Sequence, residues 1–75
     1  VAMSKSIYSK EYKNIIERLK TARLEAGLKQ EEVAAKLKKP QSYISKIERG
    51  ERRVDAAELK ELAKILKKDI SYFLS

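Results

Sequence analysis

Neither cysteine nor histidine occurs among the 75 residues. Disulfides are therefore excluded, as is any thiolate–imidazole metal site that could brace a small fold. The usual groups for general acid–base and nucleophilic chemistry are missing too, no clustered carboxylate pair occurs in a likely cleft, and the serines have no visible base. An enzyme is not expected, nor a cofactor, nor a small-molecule substrate. Glycine occurs twice and proline once, so each can be read as punctuation. Long apolar runs are absent: none approaches the roughly 18 residues of a membrane span, and no secretory h-region is recognisable. No membrane partner is expected, and the composition is compatible with a cytoplasmic location.

What the sequence has in quantity is charge. Eighteen Lys and Arg against eleven Asp and Glu give a net charge of +7 and a pI of about 9.7, which favours a polyanionic partner. The excess is local. Residues 38–53 hold Lys38, Lys39, Lys46, Arg49, Arg52 and Arg53 against Glu48 and Glu51, whereas residues 54–75 balance four of each sign. A domain this small buries only about 60% of its unfolded surface, so a modest core must come from helix packing alone.

Residues 1–9 show no sustained period and are expected to be a flexible N-terminal segment, followed by one domain over residues 10–75. Ser9 can cap a helix from about Lys10 to Ala26 with the apolar stripe Tyr12, Ile15, Ile16, Leu19, Ala22 and Ala26. Gly27 then ends it as a residue able to take positive φ. Arg23 falls inside that stripe. A buried arginine needs a carboxylate, and Glu48 is the predicted partner; Leu24 points away from the stripe and has no assigned role. A second helix, Gln30 to Leu37, carries Val33, Ala34 and Leu37 on one face. At about two turns it must lean on its neighbours. Lys38 and Lys39 form a turn, and Pro40 suits the start of the next helix. That third helix runs from Gln41 to Arg49 and ends at Gly50. Beyond the loop Glu51–Arg53, Asp55 and Glu58 read as a capping box for a fourth helix reaching Leu66, with Leu59, Leu62, Ala63 and Leu66 inward and Ile65 off the stripe. Asp69 can cap a last short helix, Ile70 to Leu74. The fold class is all-α.

On a helical wheel at about 100° per residue, Gln41, Ser42, Ser45, Lys46 and Arg49 share one arc of roughly 140°. Tyr43, Ile44 and Ile47 lie opposite, with Glu48 at the border. One face suits a core, and the other offers hydrogen-bond donors and positive charge that can reach phosphates and base edges. Two short helices joined by so tight a turn match the helix-turn-helix pattern.

The stretches QEEVAAKL, YISKIERG and the later LxxLAKIL, within residues 18–74, resemble the phage-repressor (Cro-type) helix-turn-helix family of transcriptional regulators, whose short single-domain members include restriction–modification controller proteins. The resemblance implies a compact five-helix repressor-like domain in which the second and third helices form the motif. It implies Gln41, Ser42 and Lys46 as base readers, and Gln30, Tyr43, Arg49, Arg52 and Arg53 as contacts at or near the phosphate backbone. It also places Arg23 and Glu48 at positions that pair internally. Three departures stand out: Lys38 and Lys67 replace glycines, and Lys29 replaces a Ser or Thr cap.

The expected partner is double-stranded DNA, bound by a homodimer on a pseudo-palindromic operator. Ile65, Tyr72 and Leu74 are the dimer candidates, while Phe73 is expected to close the core. The competing reading is a protein-interaction module, such as an antitoxin that neutralises a partner protein. In that case Gln41 and Lys46 could be changed without loss of activity. A membrane-surface role for the basic first helix is weaker, because its apolar side is accounted for as core.

Overall fold

Why these residues form these helices is clearest at their ends. In the computed structural model, which describes residues 10–74, α1 spans Lys10–Glu25, α2 Gln30–Lys36, α3 Gln41–Glu48, α4 Ala56–Leu66 and α5 Ile70–Leu74. The N-terminal segment 1–9 and the Ser9 cap lie outside the described residues. Among the described residues there are five helices and no strand, and the architecture is all-α. The first four helices stop in the same way. A residue with positive φ follows each, and the next N–H reaches back five residues: Leu28 to Arg23 at 3.1 Å, Lys39 to Ala34 at 2.9 Å, Glu51 to Lys46 at 2.8 Å and Lys68 to Ala63 at 3.0 Å. Two of these left-handed positions are Gly27 and Gly50, but the other two are Lys38 and Lys67, with φ of 59° and 58°. Each lysine carries about 1 kcal/mol of strain that a glycine would not. The turn geometry survives the loss of its glycine.

The starts of the helices differ more. Asp55 and Glu58 make a full capping box on α4: Glu58 N–H donates to Asp55 Oδ1 at 2.8 Å, and Asp55 N–H donates to Glu58 Oε1 at 3.1 Å. At α2 only the returning half exists, Lys29 N–H donating to Glu32 Oε1 at 2.7 Å, since a lysine side chain has no acceptor to offer. Pro40, with φ −71° and ψ 158°, stands just before α3 as its N-cap.

The core gathers Leu19 and Ala22 from α1, Val33 and Ala34 from α2, Ile44 and Ile47 from α3, Leu59, Leu62 and Leu66 from α4, and Phe73 from α5. Phe73 is 1% exposed, and full burial of such a side chain is worth about 1.5–3 kcal/mol. Without α5 the α1–α4 layer would have an open apolar side. Arg18 ties α5 down by donating to the Tyr72 carbonyl at 3.2 Å, with its guanidinium 5.3 Å from the Tyr72 ring centre. Lys68 approaches the same ring at 4.8 Å and pairs with Glu25 at 3.3 Å.

These contacts bear on the three dimer candidates. Ile65, expected off the core, is half-buried and packs against the core cluster. Tyr72 is half-buried against Arg18 and Lys68. Leu74 is 60% exposed. Ile65 shares a surface hollow with Ala26 and Leu28, whereas Leu74 shares one with Glu11 and Asn14. The two thus lie toward opposite ends of α1, a 16-residue helix about 24 Å long. Leu24 is also exposed, at 59%, and nothing in the structure explains it. No helix among the described residues is long and apolar enough to cross a membrane.

Candidate nucleic-acid interface

The interface is built outward from a buried charge. Arg23 of α1 points into the fold and meets Glu48 at the last turn of α3: Nε donates to Oε2 at 2.6 Å and Nη2 to Oε1 at 3.1 Å. The third arm, Nη1, donates to the Leu28 carbonyl at 2.9 Å. The two side chains are 11% and 7% exposed. Such a pair holds together only when both charges are fully hydrogen-bonded, and here the fork of the guanidinium matches the carboxylate. The effect is to clamp α3, by its C-terminal end, to α1.

From that clamp a chain of polar contacts runs toward the surface. Gln30 Nε2 donates to Glu48 Oε1 at 2.9 Å, and Gln41 Nε2 approaches Gln30 Oε1 at 3.4 Å, a long contact. Because a carboxylate only accepts, Gln30 must turn its amide nitrogen inward and its oxygen outward. Gln30 is half-buried at the start of α2. Gln41, Ser42, Lys46 and Arg49 are all exposed on the outer side of α3, while Tyr43, Ile44 and Ile47 are buried on its inner side. The fold therefore puts Gln41, Ser42, Lys46 and Arg49 on one solvent-facing surface, with Gln30 beside Gln41.

The loop after α3 extends the positive surface. Arg49 meets Glu51 at 3.2 Å with both side chains more than half exposed. Arg52 donates to Glu58 at 3.2 Å, and its guanidinium lies 4.5 Å from the Tyr43 ring centre; Lys39 approaches the same ring at 5.5 Å. Arg53 is exposed.

Tyr43, expected at or near the phosphate backbone, is mostly covered by the fold. It is 7% exposed, its hydroxyl is directed at Glu58, and burial together with that carboxylate raises its pKa. The ring lies under the cations rather than beside them, because the period that puts Ile44 and Ile47 inward takes Tyr43 with them. Glu58 was identified from sequence only as a helix cap. It also anchors Arg52. Burial opposes its ionisation, but the Tyr43 hydroxyl, the Asp55 N–H and the Arg52 charge outweigh burial and hold its pKa below the usual carboxylate range. Among the described residues, no group of acidic side chains stands close enough to hold a metal ion.

A sequence model of the helix-turn-helix family matches residues 19–73. Among solved structures, the chain is similar to an XRE-family like protein from Pseudomonas syringae pv. tomato str. DC3000, with 35% sequence identity and a TM-score of 0.84 over 99% of this chain and 90% of that one. No curated protein matches.

Proposed function

Because the chain belongs to the helix-turn-helix family, in its XRE branch of DNA-binding transcriptional regulators, we propose that it acts as a homodimer that reads a pseudo-palindromic operator through α3. The family is one of DNA-binding regulators and not of enzymes. The observation that carries the finer reading is the set Gln41, Ser42 and Lys46, exposed together on a helix whose far end is clamped by Arg23 and Glu48. An α-helix in the major groove presents such positions to base edges. Glutamine pairs bidentately with adenine, lysine donates to the acceptors of guanine, and serine discriminates less. Gln30, Arg49, Arg52 and Arg53 hold phosphates and fix register. Tyr43 contributes from beneath, by supporting Arg52 and Lys39.

Dimerisation is assigned to the C-terminal part of the chain. Leu74, with its side chain mostly in solvent, is the strongest of the three candidates; Ile65 and Tyr72 contribute only what they leave uncovered. Two-fold symmetry then places two copies of α3 about one helical turn of DNA apart.

The test is selection of bound sites from random duplexes. A symmetric site with half-sites about 10 base pairs apart is expected, and an asymmetric single site would remove the dimer from the reading. For a dimer making about 6–10 phosphate contacts, affinity should fall by roughly 10³–10⁵ between 50 and 200 mM salt. A flat salt titration would remove DNA from it.

A further inference from the structure

Two tyrosines lie beneath the loop that follows α3, one under each of its adjacent arginines. Tyr43 underlies Arg52, as described. Tyr12 underlies Arg53, whose guanidinium lies 5.8 Å from the Tyr12 ring centre. Tyr12 comes from the first turn of α1, is 7% exposed, and belongs by period to the apolar stripe. Its hydroxyl does something that a stripe residue need not do. It donates to the Arg52 carbonyl at 2.9 Å and accepts from the Val54 N–H at 2.9 Å. One O–H thus bridges the two backbone groups on either side of Arg53, and neither has a backbone partner of its own among the described residues.

We propose that Tyr12 is a positioning residue of the DNA interface, fixing the backbone from Arg52 to Val54 so that both arginines are held ready for phosphates. The inference rests on the reading of Arg52 and Arg53 as phosphate contacts. Its physical content is preorganisation. A loop of two long cationic side chains in solvent would have to be ordered on binding, and that ordering subtracts from affinity. The hydroxyl orders the backbone beforehand, and the two rings and Glu58 restrict the side chains. Tyr12 itself is buried under the loop and touches no nucleic acid.

The decisive variant is Tyr12→Phe, which keeps the ring and removes only the bridge. Three readouts are needed: amide exchange at Val54 without DNA, affinity for a random-sequence duplex pool at fixed low salt, and the same affinity in an Arg52→Ala/Arg53→Ala background. Val54 N–H should be protected in the parent and should exchange faster in Tyr12→Phe. Affinity should fall about two- to tenfold, the value of about one net hydrogen bond. In the double-arginine background Tyr12→Phe should change nothing further, because the groups it positions are gone. An equal loss in both backgrounds would mean that Tyr12 acts through the fold at large and would overturn the proposal. Rapid exchange at Val54 in the unaltered protein would overturn it whether or not the variant folds. A double-arginine variant that binds like the parent would instead overturn the underlying assignment of the loop to phosphates, and the proposal with it.

Discussion

Glu48 and Arg49 are consecutive residues, and each forms an arginine–glutamate pair. They make opposite use of it. Glu48 meets Arg23 inside the fold, with the two side chains 7% and 11% exposed, whereas Arg49 meets Glu51 in solvent, with 58% and 53% exposed. One step along a helix is about 100°, enough to turn from the core to the outer face. The inner pair has each charge locked by further bonds, to Leu28 O and to Gln30 Nε2. The outer pair is screened by water and worth little to stability. The same chemistry therefore serves as a clamp in one place and as an exchangeable contact in the other. Arg49 can give up Glu51 for a phosphate, but Arg23 has nowhere else to go.

The largest expected effect breaks the inner pair. Arg23→Ala or Glu48→Ala should destabilise the protein by about 3–5 kcal/mol, since either change leaves the other charge buried without its partner. Urea or thermal unfolding measures this directly. Parent-like melting in both variants would mean that the pair does not hold α3 and that the contrast with Arg49–Glu51 is one of exposure alone.

The inner pair was legible in the sequence because an arginine interrupts an apolar stripe, and the period that buries Leu19 and Ala22 must bury Arg23 with them. The five helices were legible for similar reasons: Gly27, Gly50 and the Asp55–Glu58 box mark ends, and observed boundaries differ from the expected ones by at most a residue. Lys38 and Lys67 were readable as left-handed positions only through resemblance, since lysine has no preference for positive φ. The supports under the loop were not legible. Periodicity says that Tyr12 and Tyr43 face inward, but not what the hydroxyl at the end of each ring will meet. Tyr12 finds its backbone partners 40 and 42 residues away, a distance over which one sequence carries no pairing signal. Ile65 lies off the buried stripe of α4, as its place on the wheel implies, but a wheel treats α4 in isolation and does not show that its neighbours half-cover this residue.

A second test compares groups on the outer face alone. Lys46→Ala should weaken binding to a selected site by about 1–3 kcal/mol and relax preference at particular base pairs, whereas Arg49→Ala should weaken selected and scrambled duplexes by the same factor. Both residues are exposed on the same side of α3, so burial cannot separate them. Only position along the helix can, with Lys46 one turn from Gln41–Ser42 and Arg49 just past the last turn. Affinities at one fixed salt concentration decide it. A uniform loss from Lys46→Ala would move Lys46 into the phosphate set and leave Gln41 and Ser42 as the readers.

The smallest expected effect falls on the outer pair. Glu51→Gln removes one charge from a contact in which both side chains are more than half exposed, so unfolding free energy should change by no more than about 0.5 kcal/mol. Binding should change in the opposite sense from every other variant. Glu51 neutralises Arg49 in the free protein and brings a negative charge toward the phosphates in the complex. Its loss should therefore tighten selected and scrambled duplexes alike, by roughly twofold at low salt and less as salt screens the interaction. Melting curves and a salt series on the same variant check both halves. A loss of stability approaching that of Glu48→Ala would show that the outer pair is also structural. Weaker binding would show that Glu51 orients Arg49 toward DNA and does not compete with it. On the geometry, competition is the expected result, because the Glu51 oxygens lie 3.2 and 3.3 Å from Arg49 Nε and Nη2, taking up the donors that a phosphate would need.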